Sequence, residues 1–426
     1  MDVRDAKLAM VQGALIVGAD LAKVRHWWRG IRPESGISVT PALCFENNRK
    51  GFEALVGEMR RAMERAGLSR AVVGLEPTGP HWRPLAQYLM EQPGIDVVLV
   101  NPYHVKRDKE KADNTRSKSD RKDCRIIADL VRNGEYLRVL WPRGAGAELR
   151  QLSVARLEAK KGWNAACNRV RSWLFERFPE FLEVFRDPFR QAARWVLEHC
   201  PTPAEVLAMP TEELVAGLKG AARGRVGQKR AAVLRLAAVD SIGYRDGAAG
   251  AKERLRGYLQ DVDHWGERLA SSEQAMEAWL KRSGMAESLL SVPGIGVVTA
   301  ATFLGEVGDL DAFTHPKQIV KLAGFNVAEK SSGQSQGRAQ LNKRGRPGLR
   351  LVLFLAAVNA VRHCPALRAF YDDLVGRSRK PLRKMQAMVA VACKLIRILW
   401  HLAKHRLTYD GAKALGRVRG RLTRAA

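Results

Sequence analysis

Three short apolar runs set the tightest limit on what this chain can fold into: ALIVGAD at 14–20, AVVGLE at 71–76 and DVVLVNP at 96–102. Each reads as a buried strand, and proline stops the third. SVTPALCFEN at 38–47 suggests one or two further strands, while helical spacing runs from Phe52 to Ala66 and from Pro80 to Met90. Strands alternating with helices over about 130 residues predict an α/β domain, placed at 12–144.

Downstream the pattern changes. Residues 104–122, HVKRDKEKADNTRSKSDRK, read as a mobile solvated loop of mixed charge. A helix is expected from about Ser119 to Asn133, with Ile126, Ile127, Leu130 and Val131 on one face and Gly134 ending it. From Ala145 to Phe178 and from Ala251 to Arg282, long polar helices with thin apolar seams predict an antiparallel or intermolecular coiled coil. Between them, residues 179–250 carry Pro179, Pro188, Pro201, Pro203 and Pro210 and read as a small helical insertion, completing a middle domain at 145–285. Everything beyond residue 285 reads as helix and loop. That gives an all-α C-terminal domain at 286–410 and a basic tail at 411–426. No repeat appears at solenoid periods.

Composition narrows the function. Lys and Arg number 72 against 44 Asp and Glu, a formal charge of +28. Such a field attracts polyanions, and nucleic acid is the commonest, because neutralised phosphates release condensed counterions. A membrane surface is the rival for any basic chain. No stretch reads as a membrane span: the longest apolar run, Leu351–Val361, lies between Arg350 and Arg362 and is far too short. The N-terminal apolar run closes on Asp20, unlike a secretory signal. Cys44, Cys124, Cys167, Cys200, Cys364 and Cys393 form no C-x-x-C pair, so a reducing cytoplasm is expected.

Four acids stand out against this basic background. Asp20 closes the first strand, Glu76 closes a later one, and Asp120 and Asp123 sit three apart on one helical face. Asp120 could simply complement a helix dipole, and Glu76 before Pro77 could simply end a strand. Together they suggest a cation site, because buried carboxylates repel one another without one. Two magnesium ions about 3.5–4 Å apart would compensate them and clamp an in-line phosphoryl displacement.

GADLAK (18–23), LEPTG (75–79), VLVNPYHVK (98–106) and SKSDRKDCRIIADL (117–130) resemble the DEDD transposases of the insertion-sequence 110 family. The resemblance implies an α/β, ribonuclease H-like N-terminal domain similar to the Holliday-junction resolvase RuvC. It places the metal-binding tetrad, for Mg2+ or Mn2+, on Asp20, Glu76, Asp120 and Asp123. Ala19 stands where the family has Ile, and Cys124 where it has Ala.

In the C-terminal half, SVPGIGVVTAATFLGEVGD (291–309) has the form of a helix-hairpin-helix. Backbone N–H groups at Gly294 and Gly296 could meet a phosphate there. An ordinary glycine-containing helix junction is the alternative. The segment 322–357 is glycine-rich and basic, and Arg338, Lys343, Arg344, Arg346 and Arg350 could clamp phosphates. Chemistry alone makes its serines loop residues. The family resemblance, carried by Pro293–Gly296, Ser332-Gly333 and Gly348-Leu349-Arg350, implies that Ser332 is a nucleophile forming a covalent link to DNA, with the adjacent Ser331 as the alternative. The family's usual proline before the Ser-Gly pair is absent.

The resemblance further implies a homo-oligomer, dimer or tetramer, that recombines donor and target DNA under a structured noncoding guide RNA. Two other readings compete with this site-specific recombinase. One is a RuvC-like endonuclease that uses the tetrad and water. The other is a basic nucleic-acid-binding scaffold without catalysis.

Overall fold

The computed structural model describes residues 3–112, 120–328, 331–332, 335–336 and 340–415. The chain divides into two compact units, Met1–Leu140 and Trp141–Ala426.

The first unit runs α1 (Val3–Val11), β1 (Ala14–Asp20), β2 (Arg25–Ile31), β3 (Leu43–Glu46), α2 (Arg49–Ala66), β4 (Arg70–Leu75), α3 (Trp82–Met90), β5 (Ile95–Leu99), α4 (Pro102–Ala112), α5 (Asp120–Arg132) and β6 (Leu137–Arg138). Its six strands form one mixed sheet in the order β3-β2-β1-β4-β5-β6. β4 and β5 run parallel to β1, with Val17 opposite Val73 and Val73 opposite Val97. β2 is antiparallel to β1, with Val17 opposite Gly30. Parallel neighbours need covered crossovers, and α2 and α3 supply them. In α2, Asn48 accepts the Gly51 N–H at 2.8 Å as N-cap, Gly67 closes the helix left-handed, and Phe52, Leu55, Val56, Met59 and Ala62 face inward. β1 is buried at six of its seven positions, as a central strand covered on both faces must be. α5 covers one face: Ile127, Ala128, Leu130 and Val131 pack with Ile16, Val72, Val98 and Tyr136.

Two expectations fail here. Residues 102–112, most of which were expected to lie in a mobile loop, form α4; residues 113–119 lie outside the described ones. β2, RHWWRGI, went unrecognised.

The second unit is mainly helical. α6 (Ala145–Arg177) and α12 (Ala248–Arg282) form its spine, and between them come α7 (Phe181–Val184), α8 (Gln191–His199), α9 (Pro203–Ala208), α10 (Thr211–Ala221) and α11 (Gln228–Val239). The spine is an antiparallel pair within the chain. Trp173 Nε1 donates to Ala251 O at 2.8 Å near one end, and Arg156 pairs with Glu273 at 2.7 Å towards the other. The face of the Trp265 ring packs directly on Gly162, 2.4 Å from where a Cβ would stand. Phe178, Phe181, Val196, Leu214, Leu218 and Leu234 join Trp173 in one core, so the insertion is packed onto the spine.

The remainder comprises α13 (Ala286–Leu290), α14 (Val297–Val307), α15 (Lys317–Ala323), β7 (Val327–Ala328), β8 (Ser331–Ser332), β9 (Ser335–Gln336), β10 (Gln340–Leu341), α16 (Pro347–His363), α17 (Pro365–Gly376), α18 (Lys384–His405) and α19 (Gly411–Leu415). The four two-residue strands correct the all-α expectation. α18 corrects another: it is long and apolar enough by composition to cross a membrane. Here it buries Ala387, Val391, Leu395, Leu399 and Leu402 along one side, among the helices of its own unit.

Candidate active site

The carboxylates of the first unit gather because of strand register. Ala19 pairs with Leu75 across the parallel β1–β4 ladder, so Asp20 and Glu76 are the next residues on two neighbouring strands. Such strands lie about 4.8 Å apart. Asp123 arrives on α5, and the approach of that helix is set by Gly18. A Cβ at Gly18 would stand 2.0 Å from the Cys124 carbonyl oxygen and 2.5 Å from the Ala128 nitrogen. Only glycine lets helix backbone touch strand backbone at that point. The contact brings Asp123 beside the edge where β1 and β4 end.

Electrostatics confirm a shared neighbourhood. Burial raises the Glu76 carboxyl above its ordinary value; Lys109 opposes the rise and Asp123 adds to it. The Cys124 thiol is pushed up to about 11, chiefly by burial, and it senses both Arg29 and Asp20. Asp123 is only 5% exposed, and its Oδ2 lies 2.5 Å from Lys109 Nζ. Asp120 is the first residue of α5, one turn before Asp123; its side chain lies outside the described residues. Among the described residues no three His, Cys, Asp or Glu side chains stand in metal-coordinating geometry. Lys109 escaped the sequence reading, since it lies 14 residues from its partner in a segment of nearly continuous charge.

In the second unit, the serines sit on a nested hairpin. β7 pairs with β10 (Val327 opposite Leu341), and β8 pairs with β9 (Ser331 opposite Gln336, Ser332 opposite Ser335). Ser332 is thus in the pair farthest from the hairpin base. The base itself is fastened. Asn342 N donates to Asn326 O at 2.9 Å, Lys343 N to Gly324 O at 3.2 Å and Arg346 N to Leu322 O at 2.8 Å. Gly324 has φ +74, and a Cβ there would stand 2.7 Å from Arg350 Nη1.

Two of the expected phosphate-binding arginines are engaged within the protein. Arg350 Nη1 donates to the carbonyls of Ala323 and Lys343, each at 3.0 Å. Arg346 Nη1 donates to the Glu306 carbonyl, and burial brings its guanidinium down to about 10. Glu306 also takes an ion pair from Arg150 at 3.0 Å. Lys343 is exposed, with φ 55. Arg338 and Gly333 lie outside the described residues.

The Pro293–Gly296 turn joins α13 to α14. Asn359 Nδ2 donates to Gly294 O at 2.7 Å, and a Cβ at Gly294 would meet the Ala360 backbone at 2.8 Å. Gly294 therefore serves close packing of the turn on α16. Gly296 is exposed at the N-terminus of α14, with open space where a Cβ would be.

Comparison with known proteins agrees with both blocks. A DEDD transposase family model of the IS110 type matches residues 17–179, spanning every one of the four acids. The model described as the transposase IS116/IS110/IS902 family matches residues 286–372, spanning the glycine turn and the serine hairpin. The IS117 mini-circle protein of Streptomyces coelicolor is 28% identical over 290 residues, covering 65% of this chain and 68% of that one. The IS110 insertion-element protein of the same organism is 26% identical over 310 residues, covering 70% and 74%. The transposase for insertion sequence element IS1111A of Coxiella burnetii is 28% identical over 144 residues, covering 34% and 39%. The DEDD match gives the mixed-sheet unit a RuvC-like, ribonuclease H-like α/β fold. The chain thus belongs to the IS110 family of DEDD transposases and is an enzyme of DNA recombination.

Proposed function

We propose that this transposase is a site-specific recombinase in which Asp20, Glu76, Asp120 and Asp123 hold divalent cations, Mg2+ or Mn2+, and Ser332 is the nucleophile. One observation carries the reading: the β1–β4 register sets Asp20 beside Glu76, and α5 is drawn onto β1 at Gly18 with Asp123 buried in its first turn. The donor set suits a hard cation, being all carboxylate oxygen. Burial raises the Glu76 carboxyl, with Lys109 opposing the rise and Asp123 adding to it, so a bound cation would favour its ionised form. Bound cations would supply positive charge to the phosphate oxygens and lower the cost of attack at phosphorus.

The chain's own groups perform the rest. The Ser332 hydroxyl attacks phosphorus, a serine–phosphate ester forms, and the bond to a deoxyribose oxygen breaks. The hydroxyl proton ends on that departing oxygen, so charge and atoms balance. The freed hydroxyl of a second strand reverses the step and releases the serine. The hairpin base fastened by Arg350 and the Arg346–Glu306 contact holds the serine strand in place. Lys343, Arg344, Arg338 and the N-terminus of α14 at Gly296 are the proposed phosphate contacts, and the +28 charge supplies long-range attraction.

The proposed partners are donor and target DNA, a structured noncoding guide RNA pairing with both, and further copies of the chain in a dimer or tetramer. With the sequence choice made by base pairing, the protein needs mainly backbone contacts. The test is a strand-exchange assay with denaturing gels. Ser332→Ala should abolish the protein–DNA adduct and joining, Ser331→Ala should retain both, and Asp20→Asn should abolish both. Full cleavage by Ser332→Ala would favour a water-using nuclease, and unchanged behaviour of Asp20→Asn would remove catalysis from the site altogether.

A further inference from the structure

The carboxylate edge already contains a cation. Asp123 is buried, and the group against it is the Lys109 ammonium at 2.5 Å, on α4. The same ammonium acts on Glu76, offsetting part of the desolvation that raises its carboxyl. One lysine thus partly neutralises two of the proposed ligands, one on α5 and one following β4. A divalent ion on the Asp123 carboxylate would stand within a few ångströms of the ammonium that Lys109 places on its Oδ2. Two positive centres within a few ångströms in a half-buried site repel strongly.

We propose that Lys109 is the built-in counter-ion of this site, holding the seat that a divalent cation takes, so that cation loading and expulsion of Lys109 are one event. The proposal rests on the reading of Asp20, Glu76, Asp120 and Asp123 as metal ligands. It gives the buried Asp123 carboxylate a charged hydrogen-bond partner, without which its burial would be costly. It also gives the site a threshold. The affinity for cation is lowered by the work of displacing the lysine, and an incoming phosphate, being anionic, offers the displaced ammonium a new partner. Cation and DNA then bind with positive cooperativity, because each favours the same rearrangement of Lys109.

The test is calorimetric titration of the full chain with Mn2+, without DNA, alongside thermal unfolding with and without Mn2+. Lys109→Met removes the competitor at similar length and should bind Mn2+ about tenfold more tightly than the parent, the factor that corresponds to about 1.4 kcal/mol of competition removed. Lys109→Arg keeps the charge and should bind no more tightly than the parent. Asp123→Asn should bind at least about tenfold more weakly. Without Mn2+ the Lys109→Met protein should melt below the parent, and saturating Mn2+ should close the gap. If Lys109→Met does not fold without cation, Lys109→Gln substitutes a neutral hydrogen-bonding side chain for the same comparison. Unchanged Mn2+ affinity in the neutral variants, with Asp123→Asn still weak, overturns the role of Lys109 and leaves the metal site standing. Absence of Mn2+ binding to every variant and to the parent overturns the metal site, and this proposal with it.

Discussion

Replacing Gly18 by alanine adds one methyl group at the place where α5 meets β1. Its Cβ would stand 2.0 Å from the Cys124 carbonyl oxygen and 2.5 Å from the Ala128 nitrogen, where ordinary contact begins at 3.4 Å. Both obstacles are backbone, so no rotamer relieves them, and the helix must retreat by more than an ångström from a strand with which it shares a core. Overpacking of side chains costs about 1–3 kcal/mol, and a backbone clash belongs at the upper end, about 3 kcal/mol. At about 3 °C per kcal/mol for a unit of this size, the melting midpoint of the first unit should fall by about 10 °C. Two sibling substitutions calibrate the result. At Gly74 the nearest atoms are methyls, Val131 Cγ2 at 2.4 Å and Ile127 Cγ2 at 3.1 Å, which can partly yield. Gly74→Ala should cost about 1–2 kcal/mol. At Gly57, inside α2, nothing lies within 4 Å, and alanine should stabilise by about 0.5–1 kcal/mol through helix propensity. Calorimetric melting of the three variants should give the order Gly57→Ala above the parent, then Gly74→Ala, then Gly18→Ala. Mn2+ binding should weaken in Gly18→Ala, because the retreat carries Asp123 away from Asp20. A Gly18→Ala protein that melts with the parent would show that α5 does not bear on β1 as described, and the grouping of the acids would lose its support.

Other outcomes follow from the same contacts. Glu76 has its folded pKa raised, so its contribution favours the fold below the ordinary carboxylate range and is lost as pH rises through the raised value; without metal, Glu76→Gln should therefore melt above the parent at neutral pH, equal it in acid, and lack strand exchange at any pH. Arg346→Ala should lower stability in urea by about 2 kcal/mol, moderated by the Arg150 contact that Glu306 keeps, while the salt dependence of DNA binding stays unchanged. Lys343→Ala should do the opposite, leaving urea stability alone and reducing the logarithmic salt slope by about 0.9. Gly162→Ala, which would drive a Cβ to 2.4 Å from the Trp265 ring, should destabilise the helical unit while Mn2+ binding to the first unit is retained.

Legibility in the sequence followed apolar content. β1, β4 and β5 are nearly continuous apolar runs; β1 has the bounds expected of it, and those of β4 and β5 depart from the reading by one to three residues. β2 is an interior strand next to the edge, and it alternates: His26 and Trp28 are buried while Arg25 is exposed and Arg29 half-buried, and its single pair of tryptophans breaks the expected contrast. α4 has charge at nearly every turn, and among its described side chains only Val105 is buried. Local capping holds it, with Tyr103 N on Asn101 Oδ1 at 3.0 Å, together with ion pairs from Arg107 to Glu135 and Lys109 to Asp123. No periodicity announces such a helix, and so the lysine on it was invisible as well. The hairpin at 327–341 was equally silent, because two-residue strands in a polar segment have no alternation to detect. Arg346 and Arg350 show the converse error: a basic run looks uniformly available to phosphate, but which members are already engaged depends on carbonyls distant in sequence.

The separation of charge along the chain explains why both errors matter for function. A protein of +28 has no difficulty attracting a polyanion; its difficulty is to keep several carboxylates ionised and ready for cations in the same molecule. The first unit has Asp20 and Glu76 half-buried at strand ends and Asp123 buried in the first turn of a helix. There the Lys109 ammonium pairs with Asp123 and acts on Glu76, and in the proposed reading a stronger cation replaces it. The second unit places its hydroxyls on a hairpin whose fastening takes up two arginines, leaving other basic residues for the phosphates. In the proposed reading, one part of the charge in each unit builds the structure and the other part serves the chemistry. Only the hydrogen-bond partners, which composition does not record, say which charge belongs to which part.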